Sequence, residues 1–255
     1  MVASLKSKGS PVGHVINLIG HTCDPAQNAV RTGFVRKMAT SSGQIEAIDS
    51  SAYWNSLIVV DDNLFPYRKL AFGNFGDGDE RYKATERHVE QIQTVVAPLP
   101  EKVYLSASTA RNIAYALVEE LAKDTEVGSE FLIEDGDALV VRLLFTTGRA
   151  FKSRKFMNYI KSRQDKLLQY PLEKHLPHFI WIMEISRKSQ FFNEELNTRC
   201  FAEVVLDATS SEFEGCPIYA RVGNRLAERP SDGAQWVLAK NSPSSFAQYF
   251  HNLGH

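Results

Sequence analysis

Cysteine is scarce. Cys23, Cys200 and Cys216 are the three in 255 residues, an odd number, and no C-x-x-C spacing occurs. This excludes a disulfide-stapled scaffold and gives no signal for a redox dithiol or a thiolate zinc knuckle. At least one thiol stays unpaired, so a reducing, cytoplasmic compartment is expected. No apolar run approaches the roughly 20 residues needed to span a bilayer, and no membrane partner is expected. Net charge is also lacking: 29 Lys and Arg stand against 30 Asp and Glu, a formal −1. A uniformly basic nucleic-acid coat is thereby excluded, whereas a local basic patch is not. There is no G-x-S-x-G, no Walker loop and no dinucleotide fingerprint, so neither a cofactor nor a nucleophile is signalled. Internal repeats and low-complexity tracts are missing too.

What is present is an ordinary globular composition, 44% hydrophobic and 23% charged, enough to bury a sizeable core. Residues 1–13, rich in Ser, Gly and Pro, read as a flexible arm. Residues 14–255 read as one α+β domain with a largely antiparallel sheet, about three main helices and a short C-terminal helix. Strands are expected over residues 14–20, 32–37 and 44–49, with a Ser-Ser-Gly turn between the last two. Residues 54–60 should pair with 65–72. Tyr82, Thr85, Val89, Ile92 and Val96 recur at helical spacing, ending at Pro98-Leu99-Pro100, which is short enough for an element connection. A second helix, capped by Ser108, carries the cleanest buried stripe: Ala110, Ile113, Ala114, Leu117, Val118 and Leu121. Asp135-Gly136 predicts a hairpin joining 131–133 to 138–145. A third helix is expected over 153–169, with Phe156, Ile160 and Leu167 inward. Residues 179–185 read as a buried central strand. Further strands follow at 200–206, 218–222 and 235–239, and residues 242–253 as a closing helix.

Charge is segregated along the chain. Arg149, Lys152, Arg154, Lys155, Lys161, Arg163 and Lys166 face only Asp165, a net of +6 in 18 residues. Phe151, Phe156 and Tyr159 interleave with them. Cations neutralise phosphates and aromatic faces stack on unpaired bases. The expected nucleic-acid contacts are therefore Arg149, Phe151, Lys152, Arg154, Lys155, Tyr159, Lys161, Arg163 and Lys166. Residues 1–42 add a net of +4, and residues 119–137 hold a net of −7. The segregation suits a basic nucleic-acid face with an acidic back. It also suits head-to-tail assembly into a homo-oligomer or a larger protein complex.

Other constellations are weaker. Asp61, Asp62, Asp77 and Asp79 are the carboxylates a metal-dependent nuclease would use, and Asp77, Asp79 and Glu80 could gather a hard cation, but each fits a strand end or a turn leading to a helix cap. Glu134, Asp135 and Asp137 fit the expected hairpin. His175 and His178 are separated by a proline that prevents a one-turn zinc pair. His14, His21 and Cys23 lack ligand spacing, and Gly73, Gly76 and Gly78 lack the Lys-Ser/Thr of a phosphate loop. Trp54, Trp181 and Trp236 fall in strands as core residues. Phe191-Phe192 is either core or a partner-facing spot. Leu18-Ile19-Gly20, followed after three residues by Asp24-Pro25, resembles the opening strand of bacterial single-stranded-DNA-binding proteins with the OB fold. That resemblance covers about eight residues, its gap is one residue short, and no acidic tail follows, so no site is carried over. The sequence thus points to a non-enzymatic protein that binds DNA or RNA, single strands preferred. Assembly and nuclease activity are the rivals.

Overall fold

The computed structural model describes residues 1–6, 13–24, 34–60, 68–71, 92–132, 137–161, 166–192, 199–212, 215–228, 237–240 and 246–247. Their fold is α+β with almost wholly antiparallel strands, as the sequence implies. The chain divides into two compact units, one of Met1–Val30, Ser51–Pro100 and Leu253–His255, the other of Arg31–Ser50 and Glu101–Asn252.

The first unit holds a five-stranded antiparallel sheet in the order β6-β5-β2-β1-β7. Its strands are β1 (Val2–Lys6), β2 (Gly13–Cys23), β5 (Trp54–Val60), β6 (Arg68–Ala71) and β7 (Ile92–Val96). Two expectations change here. Val2–Lys6, expected within the flexible arm, is a strand paired on both sides, with β2 and with β7. Ile92–Val96, expected to end a helix, pairs with β1 instead. Four of its five residues are β-branched and fit a pleated surface better than a helical turn. The β5–β6 hairpin forms as expected. The rest of the expected helix, with Asp77, Asp79 and Glu80, lies outside the described residues.

The second unit is built on an eight-stranded sheet, β14-β13-β12-β11-β9-β8-β4-β3. Every neighbouring pair is antiparallel except β4–β8. The strands are β3 (Val35–Thr40), β4 (Gly43–Asp49), β8 (Leu139–Thr147), β9 (Phe179–Arg187), β11 (Ala202–Asp207), β12 (Pro217–Val222), β13 (Arg225–Glu228) and β14 (Val237–Lys240). Its helices are α1 (Ala107–Leu121), α2 (Thr125–Ser129), α3 (Gly148–Lys161), α4 (Lys166–Glu173) and α5 (Lys188–Phe191).

β9 explains the continuous apolar run. Trp181, Met183 and Ile185 enter the core that includes α1, while Ile180 and Ile182 enter a second core with Phe151 of α3, Val205, Tyr219 and Leu226. A strand covered on both faces needs apolar residues at both parities. α1 buries the stripe read from the sequence, and Ser106, not Ser108, accepts from the Thr109 amide at 3.2 Å as its N-cap. Phe131 and Leu132, expected in a strand beside β8, are not in a strand, and residues 133–136 lie outside the described residues. The partners of β8 are β4 and β9, and Phe131 is buried in the core instead. The expected long helix is two: α3 begins at Gly148, five residues early, where Thr147 Oγ1 accepts from the Ala150 amide at 3.1 Å, and α4 follows separately. Phe246–Ala247, expected within the closing helix, forms a two-residue strand (β15) paired with β10, Arg199–Cys200.

Candidate functional site

The first turns of α3 pack on the sheet through Phe151. Phe151 and Lys155, one helical turn apart, point inward and are 0% and 1% exposed. Phe151 is therefore core and presents no stacking face. Lys155 Nζ donates to Glu203 Oε2 at 2.5 Å and lies 5.0 Å from the Phe151 ring centroid. Lys152 is half-buried and ties α3 to α4 through Nζ, which donates to the Leu172 carbonyl at 3.0 Å. Arg154 is half-buried, with Nε enclosed and unpartnered. The outward face carries Arg149, Ala150, Ser153, Phe156 and Met157, all exposed. Phe156, expected inward, is 50% exposed and Met157 52%. Tyr159 and Lys161 lie on the last turns of α3, and Lys166 opens α4. Arg163 lies outside the described residues.

Beneath α3, four charges form a row across the sheet that the sequence reading did not identify. Arg142 on β8 pairs in register with Glu184 on β9, Glu184 with Glu203 on β11, and Glu203 with Arg221 on β12. All four are buried. Arg142 Nη2 donates to Glu184 Oε2 at 2.6 Å, and the Arg142 guanidinium sits 5.8 Å from the Phe191 centroid. Glu203 also accepts from the Tyr219 hydroxyl at 2.7 Å on Oε1. Buried charge survives only when paired and hydrogen-bonded, and here Lys155 completes the pairing of Glu203 from above. The dry surroundings push the Tyr219 phenol well above its usual pKa, through burial first and Glu203 next. Burial, aided by Glu184 and Glu203, does the same to the Cys200 thiol, which therefore stays protonated and unreactive.

Tyr219 packs edge-on against Tyr170 of α4, with centroids 5.4 Å apart. The Tyr170 hydroxyl donates to Glu228, whose carboxylate Lys174 approaches at 2.8 Å. Burial and the Glu228 carboxylate raise Tyr170 to about 12. Lys174 and Tyr170 together hold Glu228 below the usual carboxylate range. These contacts fix the α3–α4 pair on the sheet. The row is thus a clamp that uses one cation of the basic segment, Lys155, and leaves the outer face of α3 in solvent.

The acidic stretch is occupied locally. Glu119 lies near Arg36, Glu120 pairs with Lys123, and Glu126 with Arg225. Asp124 caps α2, and Asp137 accepts from Ser189. Phe191 is buried, so the doublet is mainly core. Asp61 and Asp62 lie outside the described residues, as do Glu134, Asp135 and Trp236. Among the described residues no cluster of three or more His, Cys, Asp or Glu gathers for a metal, and no helix is long and apolar enough to cross a membrane. Comparison of the chain with protein-family models, curated proteins and solved structures gives no match.

Proposed function

We propose that the protein binds single-stranded nucleic acid through the solvent face of α3. The supporting observation is the exposed Phe156 on the same face as Arg149, two turns away, on a helix whose fourteen residues include no carboxylate. Phe156 takes the stacking role that Phe151, now core, was expected to play. Arg149 and Arg154 supply phosphate contacts, and Lys161 and Lys166 extend the track by position. Lys155 is withdrawn into the clamp. With about three cations reaching phosphates, log affinity should fall with log salt at a slope near −2 for a single strand. Stacking on Phe156 should add about 1–3 kcal/mol per base, which a duplex does not offer.

Assembly through opposed charge stretches is less favoured, because five carboxylates of the acidic stretch already have local partners. The test is a titration of single-stranded and duplex DNA and RNA at two salt concentrations. Phe156→Ala should weaken single-strand binding while leaving the salt slope unchanged. Arg149→Ala with Arg154→Ala should flatten the slope by one to two. Absence of binding at low salt, or variants that bind like wild type, defeats the proposal.

A further inference from the structure

β3 ends the eight-stranded sheet of the second unit. It is bonded to β4 on one side and to no strand among the described residues on the other. Its hairpin turn has two residues, Ser41 and Ser42, so it closes on a bonded pair, Thr40 with Gly43. Antiparallel bonding alternates from there. Thr40, Met38 and Arg36 therefore turn their amides and carbonyls to β4, whereas Val35, Lys37 and Ala39 turn theirs outward. The Lys37 and Ala39 side chains are exposed. Such a row of outward donors and acceptors is a template for one more strand.

Charge selects the strand that fits. A groove of about 380 Å³ lies beside the edge, between Thr40 and Ser41 on one side and Ala116, Glu119, Glu120 and Lys123 on the other. Its carboxylates are loosely held: Glu119 stands 3.9 Å from Arg36, and Glu120 and Lys123 pair with both side chains exposed. Surface pairs of this kind are worth little and re-form readily. The cations of β3, Arg36 and Lys37, lie toward its other end, and the strand has no carboxylate. A second β3 laid antiparallel on the edge brings the basic end of each strand to the acidic groove of the other. A parallel one sets like ends together. Centring the antiparallel pair on Arg36 or Lys37 opposes like charges, which is destabilising, and centring it on Ala39 runs each strand into the other's turn. Centring it on Met38 sets Lys37 across from the partner's Ala39 and Arg36 across from the partner's Thr40. Lys37 thus deters the wrong registers and leaves this one open.

We infer that β3 is a dimer interface, pairing antiparallel with β3 of a second copy about a two-fold axis at Met38 and joining the two sheets edge to edge. Lys37 and the partner's Ala39 exchange both backbone hydrogen bonds, and symmetry repeats the exchange. An isologous contact of this kind closes at two copies. It leaves α3 out, so it is separate from assembly through opposed charge stretches and does not rest on nucleic-acid binding. Sedimentation velocity of the full chain over a concentration series should show a monomer–dimer equilibrium. Ala39→Glu, which meets the partner's Lys37 twice per dimer, should tighten it about 2- to 30-fold, and Ala39→Lys should loosen it by a similar factor. Raising the salt should shrink both differences. Ala39→Pro removes an outward amide without breaking a bond to β4, so it should stay folded by circular dichroism and sediment as a monomer. Ala39 is exposed, so the Glu and Lys variants keep the fold and decide the question even where the proline disturbs it. A wild type that stays monomeric at every concentration overturns the inference. So does a dimer whose constant is the same in Ala39→Glu and Ala39→Lys, because that dimer forms through another surface.

Discussion

Removing either member of the Lys155–Glu203 pair would leave its partner charged in a dry interior, since both side chains are 2% exposed. A buried pair broken on one side typically costs 3–5 kcal/mol, far more than the pair's net worth against an apolar substitute. Lys155→Met should therefore lower the unfolding free energy by about 3–5 kcal/mol. Adding Glu203→Gln should recover most of the loss, because the amide oxygen still accepts from Tyr219 and no charge is left behind. Urea unfolding of the two variants checks this. A Lys155→Met protein within about 0.5 kcal/mol of wild type, the range of ordinary surface substitutions, would place Lys155 back on the ligand face. Tyrosines make a related prediction in alkali. Burial raises Tyr115 and Tyr170 to about 12 and Tyr219 well above its ordinary 10. A raised folded pKa means that stability is complete below pH about 10 and declines from there toward 12, where the unfolded chain is already ionised. Tyrosinate absorbance should show these three of the nine tyrosines ionising late, together with loss of the near-ultraviolet circular dichroism. All nine titrating near pH 10 with the fold intact would contradict the burial.

At the scale of elements, what the sequence disclosed depended on whether the deciding contacts were local. α1 was legible because six stripe positions at spacings of three and four face one core. The β3–β4 hairpin was legible because its turn ends in Gly43, whose φ of +127° disfavours any other residue. α3 was misplaced because its cap, Thr147, is the last residue of a strand, and of the positions expected inward Phe156 is 50% exposed. The charge row left a signal that was overlooked: Arg142, Glu203 and Arg221 each stand as the main charge inside an apolar strand, and Glu184 interrupts the most apolar strand of all. Such a charge demands a partner in a neighbouring strand. Which strand is the neighbour is a long-range fact, since Arg142 and Glu184 are 42 residues apart. The partners of β8 are likewise distant in sequence, β4 and β9, while Phe131 goes to the core and the Asp135-Gly136 turn lies outside the described residues.

The chain enters the second unit twice, and that sets what can be removed from the whole molecule. Arg31–Ser50 reaches it before Glu101–Asn252 does, so Pro98–Pro100, which looks like a point to divide the chain, separates β3 and β4 from the sheet they complete. A fragment of residues 101–255 would lack Met38 and Ala47, both 0% exposed in the core with α1. Full burial of a methionine alone contributes about 1.5–3 kcal/mol. Arg111 would lose Asp49, which lies 2.9 Å away. β8 would lose the parallel partner at Leu139, Val140 and Val141 and become an apolar edge open to another chain. The fragment should therefore aggregate or unfold with weak cooperativity, as read by size-exclusion chromatography and urea denaturation beside the full chain. Cutting the intact protein at a protease site placed between Pro98 and Glu101 should give a different result, because the hairpin is already seated. The two pieces should co-migrate under native conditions and separate only in denaturant. A monodisperse, cooperatively unfolding 101–255 fragment would show that the hairpin is dispensable and that the second unit is specified by its later stretch alone.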